Sequence, residues 1–219
     1  VTDFQAAVAI AAGRAPTESP FVIAGTGRAT GSSKGSGAVV LGLSPLARAE
    51  GLTGGMPLAA AARRVRGLVV LAPDPVSCAA AEAGMTRIAA RYAPLVQNDS
   101  GGHLFLDVRG TERLFGPAVD CAVRVRNEIA DALGIEATVG VARNKLVAKV
   151  AARSVKPVGV ACVRAGDEAG FLAPQDAFLL PGVGVAMSRV LSVAGIRRIG
   201  ELAALTDVDA LALFGKRLD

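Results

Sequence analysis

An α+β fold on a ferredoxin-like sheet is what this sequence predicts, and three observations predict it. Between residues 68 and 141, β-prone runs and helical periodicities alternate in the order strand, helix, strand, strand, helix, strand, the split βαβ arrangement. Proline, asparagine and glycine stand at the joints of that pattern, where helices start and stop. After Pro157 the style changes to short helices around Gly-rich corners, marking a separate helical part. The composition suits such a fold: 219 residues, 52% hydrophobic and 20% charged, exclude disorder for most of the chain.

In order, Val22 to Ala24 and Ala38 to Leu41 are β-prone runs joined by Gly25 to Gly37, a Gly/Ser-rich hairpin connection carrying Arg28 and Lys34. That connection is no phosphate loop, because Ser33 rather than glycine precedes Lys34 and no helical pattern follows. Arg48 to Pro57 is loop-like, Leu58 to Arg66 a short helix, and Leu68 to Ala72 a strand. From Pro75 to Tyr92 the positions Val76, Ala79, Ala83, Ile88 and Tyr92 keep helical spacing behind an initiating proline. Leu95 to Asp99 and Leu104 to Val108 are strands joined through Ser100-Gly101-Gly102-His103. Pro117 to Leu133 is an amphipathic helix that Gly134 stops. Ala137 to Val141 is a strand and Asn144 to Ser154 a basic helix.

The same composition narrows function. The longest apolar stretches, Ala6 to Ala12 and Leu68 to Pro73, fall short of the roughly 18 residues of a membrane span. Cys78, Cys121 and Cys162 are widely spaced and odd in number, which suits reduced thiols in a cytoplasmic protein. A single histidine, His103, excludes multi-histidine metal sites and most His-dependent hydrolase chemistry. The chain opens on Val1 rather than Met, so residues before it are expected.

Net charge is +5. From Arg143 to Arg198 nine cations face three anions, leaving the remainder nearly neutral in sum. That skew is either a solvated basic face or a phosphate-contacting surface. Leu180-Pro-Gly182-Val-Gly184 leads into a short helix carrying Arg189, with a second beyond Gly195. This is either a helix-hairpin-helix, whose backbone N–H groups meet a phosphate, or an ordinary helical corner.

Taken together, Phe4 to Val8, Pro20 to Ile23, Ala47-Arg48-Ala-Glu-Gly51 with Gly55-Met-Pro57, Tyr92-Ala-Pro94 and Ser100 to Gly110 stand in an order that resembles the Y-family translesion DNA polymerases. Thr138 to Ala142, Asn144-Lys145, Ala148-Lys149, Lys156 to Gly159 and Leu180 to Gly184 continue the likeness, which covers essentially the whole chain. It implies a palm at 1–10 and 72–160, a small fingers domain at 11–71 and a helix-hairpin-helix thumb at 161–219, with the family's little finger absent from these residues. It also implies DNA as partner, as primer-template or damaged DNA, with replication or recombination proteins as further candidates and no membrane.

The chemistry of such polymerases needs carboxylates that hold two divalent cations. At the family's S-x-D-E segment this sequence has Ser100-Gly101-Gly102-His103, so Gly102 and His103 replace both acids. Thr2 stands where the second aspartate of the family's D-x-D motif falls, Asp3 is off register, and Gln5 replaces the aromatic that screens the sugar. Arg48 and Lys145 match the triphosphate-contacting cations, as a nucleotide-site remnant or as residues now serving structure or DNA, while Pro45 replaces the tyrosine expected before Arg48. His103 is a turn residue or sits beside nucleic acid. The expectation is a catalytically silent, ImuB-like protein of DNA repair, without catalytic or metal-binding residues and without a cofactor, Mg²⁺ entering only if it is active. DNA contacts fall to Arg143, Lys145, Lys149 and Arg153 and to Gly182, Gly184 and Arg189. The alternatives are an active polymerase with carboxylates relocated among Asp3, Asp99 and Asp107, or a nucleotide-responsive module using Arg48 and Lys145.

Overall fold

Strand β1 (Phe21–Thr26) is apolar on both faces, and Phe21 to Ile23 are at most 2% exposed. Such a strand must be covered on both sides, and its neighbours do so. The computed structural model describes residues 3–26 and 37–215, which divide into two units, Val1–Ala137 and Thr138–Asp219. The expected palm segment spans that division.

In the first unit, α1 (Phe4–Ala11) leads to β1, which pairs antiparallel with β2 (Ala38–Leu43). The short helices α2 (Pro45–Ala49) and α3 (Leu58–Arg64) precede β3 (Val69–Leu71). Then come α4 (Pro75–Ala89), the hairpin β4 (Leu95–Asn98) and β5 (Leu104–Asp107), α5 (Glu112–Phe115) and α6 (Ala118–Leu133). Asp74 caps α4 by accepting from the Ser77 N–H at 3.0 Å, with Pro75 in the first turn, and Gly134 ends α6. α1, α4 and α6 bury a common core of Phe4, Val8, Met85, Ile88, Val125 and Ile129. A second core of Val22, Val40, Leu43, Leu52 and Val65 lies between the strands and the two short helices.

In the second unit, β6 (Thr138–Val141) is followed by α7 (Lys145–Ser154) and β7 (Gly159–Cys162). After them come α8 (Glu168–Leu172), a 3-10 turn (Ala177–Leu179), α9 (Val185–Val193), α10 (Ile199–Ala203) and α11 (Asp207–Phe214). α7 lies directly on β6: a Cβ at Gly140 would stand 1.9 Å from the Ala148 carbonyl oxygen. Ala177, Leu191 and Ile196 bury a small separate core under α9.

The mixed α/β character is as expected, but the ferredoxin-like sheet is not. Among the described residues the strands pair as three sheets: β2-β1-β3, β4-β5 and β6-β7. β3 pairs parallel with β1, Phe21 opposite Val69 and Ile23 opposite Leu71. The cause is β1 itself, whose free edge offers an apolar run like Leu68 to Leu71 a partner buried on both faces. β6 in turn pairs parallel with β7, a four-residue strand opening on Gly159.

Candidate functional site

The first turn of α1 is where the first unit gathers its notable side chains. Asp3 precedes the helix in a left-handed conformation, φ 47°, and its side chain makes no capping bond. Its carboxylate instead forms an ion pair with Arg48 of α2, whose side chain is 52% exposed. α2 is held by Ser44, buried to 2% exposure, whose Oγ accepts from the Phe21 N–H at 3.0 Å and the Ala47 N–H at 3.1 Å. Pro45, where the resemblance expects a tyrosine, occupies the first turn of this helix. Arg48 is thus fixed to β1 through one hydroxyl. Gln5, next along α1, has its Oε1 buried with no hydrogen-bond partner among the described residues.

Phe4 points the other way, into the core and onto the β4-β5 turn. Ser100, Gly101 and Gly102 run through three consecutive positive φ values, 58°, 59° and 74°. Asn98 Oδ1 accepts from the Ser100 N–H at 2.8 Å, and the Asp99 N–H donates to the His103 carbonyl at 2.9 Å. The Gly102 N–H donates to Glu82 Oε1 of α4 at 3.1 Å. Gly102 is buried and His103 exposed. A Cβ at Gly102 would lie 2.4 Å from Phe4 Cδ2 and 2.7 Å from its Cγ, closer than any side chain tolerates.

Asp107, which ends β5 of this hairpin, has its carboxylate committed. Arg109 Nε donates to Asp107 Oδ1 at 2.9 Å and Oδ2 at 3.0 Å. That bond, reinforced by the Arg109 N–H, pulls the Asp107 carboxyl from 3.8 down to about 2. Thr2 lies outside the described residues.

In the second unit the Asn144 side chain caps α7 by accepting from the Val147 N–H at 2.9 Å. Arg143 and Lys145 are exposed at its start and Lys149 half-buried one turn on. Arg153 is partly spent on structure, its Nη1 donating to the Leu179 carbonyl at 2.8 Å. Gly182 has φ +89°, whereas Gly184, which precedes α9, has an ordinary φ of −90°; a Cβ at either meets open space. Arg189 is exposed on α9, at an apolar recess of about 340 Å³ lined by Val190, Val193, Ala194 and Leu213.

The structure therefore brings Arg48, Asp3, Phe4 and Gly102 to one end of α1, and keeps Arg143, Lys145, Lys149, Arg153, Gly182, Gly184 and Arg189 in the second unit. Glu82 is a contribution the sequence pattern did not single out, and Phe4 entered it only as the start of the Phe4 to Val8 segment. For Mg²⁺ the donors fit poorly: glycine offers no ligand, an imidazole is poor for a hard cation, the Asp3 and Asp107 carboxylates are held by arginines, Glu82 accepts from the Gly102 N–H, and Asp99, exposed just after β4, is a single carboxylate. Among the described residues no group of three or more His, Cys, Asp or Glu could hold a metal ion.

The family described as impB/mucB/samB matches residues 2–153, more than half of the chain. The chain belongs to this family. A DNA polymerase IV of Halorhodospira halophila is 34% identical over 187 residues, 85% of this chain and 52% of that protein. One from Dehalococcoides mccartyi is 33% identical over 167 residues, 76% of this chain and 43% of that one. The chain thus spans about half or less of the length of these relatives. The crystal structure of DinB from Sulfolobus solfataricus superposes with TM-score 0.82 at 23% identity, covering 98% of this chain and 61% of that one. At that identity the likeness speaks to the fold, that of a Y-family polymerase.

Proposed function

We propose that this impB/mucB/samB family member binds DNA in damage tolerance without transferring nucleotides, with the palm, fingers and thumb boundaries set out above. The observation that carries the reading is the Ser100–His103 turn, where Gly102 is buried against Phe4 and no carboxylate projects. Nucleotidyl transfer needs one cation to activate the primer hydroxyl and two to neutralise the triphosphate, and the residues in place supply no clamp for either. The relatives are named DNA polymerases. DNA as the ligand is supported here by the basic segment of the second unit, where Arg143, Lys145, Lys149 and Arg189 are the phosphate-facing candidates. Replication or recombination proteins are the further partners proposed.

Two measurements on the full-length protein test this. Primer extension with Mg²⁺ or Mn²⁺ should be absent, and template-dependent incorporation would overturn the reading. DNA affinity should fall steeply with salt; four phosphate contacts give a slope of log Kobs against log salt of roughly −3 to −4. An affinity that ignores salt would overturn the DNA assignment.

A further inference from the structure

Lys145, Lys149 and Arg153 recur at every fourth position of α7, so they share one face of that helix over about 12 Å. By sequence all three are DNA contacts, but the third is placed differently. Arg153 stands half-buried in the last turn of α7, and its Nη1 donates to the Leu179 carbonyl at 2.8 Å, 26 positions along the chain. Leu179 ends the 3-10 turn that leads through Leu180-Pro-Gly182-Val-Gly184 into α9, where Arg189 is exposed. That turn is already joined to α9 and the loop after it: the Ala177 N–H donates to the Arg197 carbonyl at 2.8 Å, and Ala177 packs with Leu191 and Ile196. The apolar face of α7, Val147 and Ala151, meets Phe171 and Leu172 of α8 instead. Arg153 therefore ties the turn, and with it the corner and α9, directly to α7. An ionised donor makes such a bond stronger than a neutral one would.

We infer that Arg153 is a positioning residue rather than a phosphate contact: it fixes the Leu180 to Gly184 corner and Arg189 against the Lys145 and Lys149 face of α7, so that the two groups of cations present one DNA surface. The ligand rests on the DNA-binding reading above, but the first test uses no DNA, so the two can fail separately.

Arg153→Met keeps most of the packing of the stem and removes the donor. In the full-length protein without DNA, hydrogen–deuterium exchange of residues 177–184 should quicken severalfold while α4 and α6 of the other unit keep their protection. Unchanged exchange in 177–184 would overturn the inference. Affinity for a primer-template duplex is then read by anisotropy. Arg153→Met should weaken binding about fivefold, a cost that vanishes in a Gly184→Val background and persists in full beside Lys149→Ala, because residues that act through one another couple and independent ones add. A cost that adds fully to Gly184→Val and lowers the salt slope by roughly 0.9, as Lys149→Ala should, would make Arg153 an ordinary phosphate contact and overturn the inference. Gly184→Val with wild-type affinity would overturn it too, since the corner would then meet no phosphate. Should the wild-type chain bind no duplex, the DNA reading falls and the exchange result alone decides whether Arg153 holds the corner.

Discussion

Ser44→Ala removes one hydroxyl and should loosen the whole seat of Arg48. Ser44 Oγ accepts from two backbone N–H groups, Phe21 at 3.0 Å and Ala47 at 3.1 Å, in a site 2% exposed. Alanine fits the space but leaves both donors without their acceptor. A lost N-cap costs about 1 kcal/mol, and a buried unsatisfied donor about 1–3 kcal/mol, so the sum is about 2–4 kcal/mol. With a urea m-value of about 2 kcal/mol/M, the unfolding midpoint should fall by about 1–2 M. With no tryptophan and one tyrosine, Tyr92, intrinsic fluorescence follows the first unit selectively. A midpoint shift under about 0.3 M would mean that water or a relaxed backbone satisfies both amides, and the anchoring role of Ser44 would fall.

Two further outcomes are expected. Asp107 is ionised more readily in the folded chain, at about 2 against 3.8, so its pairing stabilises fully above pH 3.8 and is lost as pH falls toward 2. Asp107→Asn should therefore be less stable than wild type at pH 6 and converge with it near pH 2, read from acid unfolding curves. Gly184→Val meets open space at an ordinary φ, so its thermal midpoint should stay near wild type while DNA affinity in an anisotropy titration drops by about 1–2 kcal/mol. Gly182→Val, at φ +89°, should lose stability too; equal behaviour of the two variants would refute the distinction.

The elements legible in the sequence were those with chemical punctuation. Pro75, Asn144 and Gly134 mark ends of α4, α7 and α6, and the structure places those ends within a few residues of expectation. α1 carried no such mark: Phe-Gln-Ala-Ala-Val-Ala-Ile-Ala is small and apolar nearly all round, so no stripe distinguishes it from a strand. The sheet was misassigned because order along the chain cannot say which edge of β1 is free, and β3 takes it. The empty turn at Gly102 could be read directly, since a missing carboxylate is a fact of sequence. What packs against it could not, because Phe4 and Glu82 reach the turn only through tertiary packing. Asp3 read as off register; its bond to Arg48 joins residues 45 positions apart. Gly182 stands at a positive φ and Gly184 does not, a difference that two glycines of one motif do not show in sequence. Summing the remainder to near neutrality also hid a local excess, for residues 11–71 carry seven cations against two anions.

Consider last the missing side chain at Gly140. Where a helix approaches a strand so closely that a methyl group would meet the Ala148 carbonyl oxygen at 1.9 Å, backbone rests on backbone, and the cushion of side chains across which helices slide is gone. α7 therefore travels only with β6, as one stiff lever. On the DNA-binding reading proposed above, Lys145 and Lys149 cannot follow an uneven phosphate track by a shift of their helix, so any accommodation is left to the four-carbon stems of the lysines themselves. A ligand that suits this face is one whose charge spacing already matches the pitch of α7.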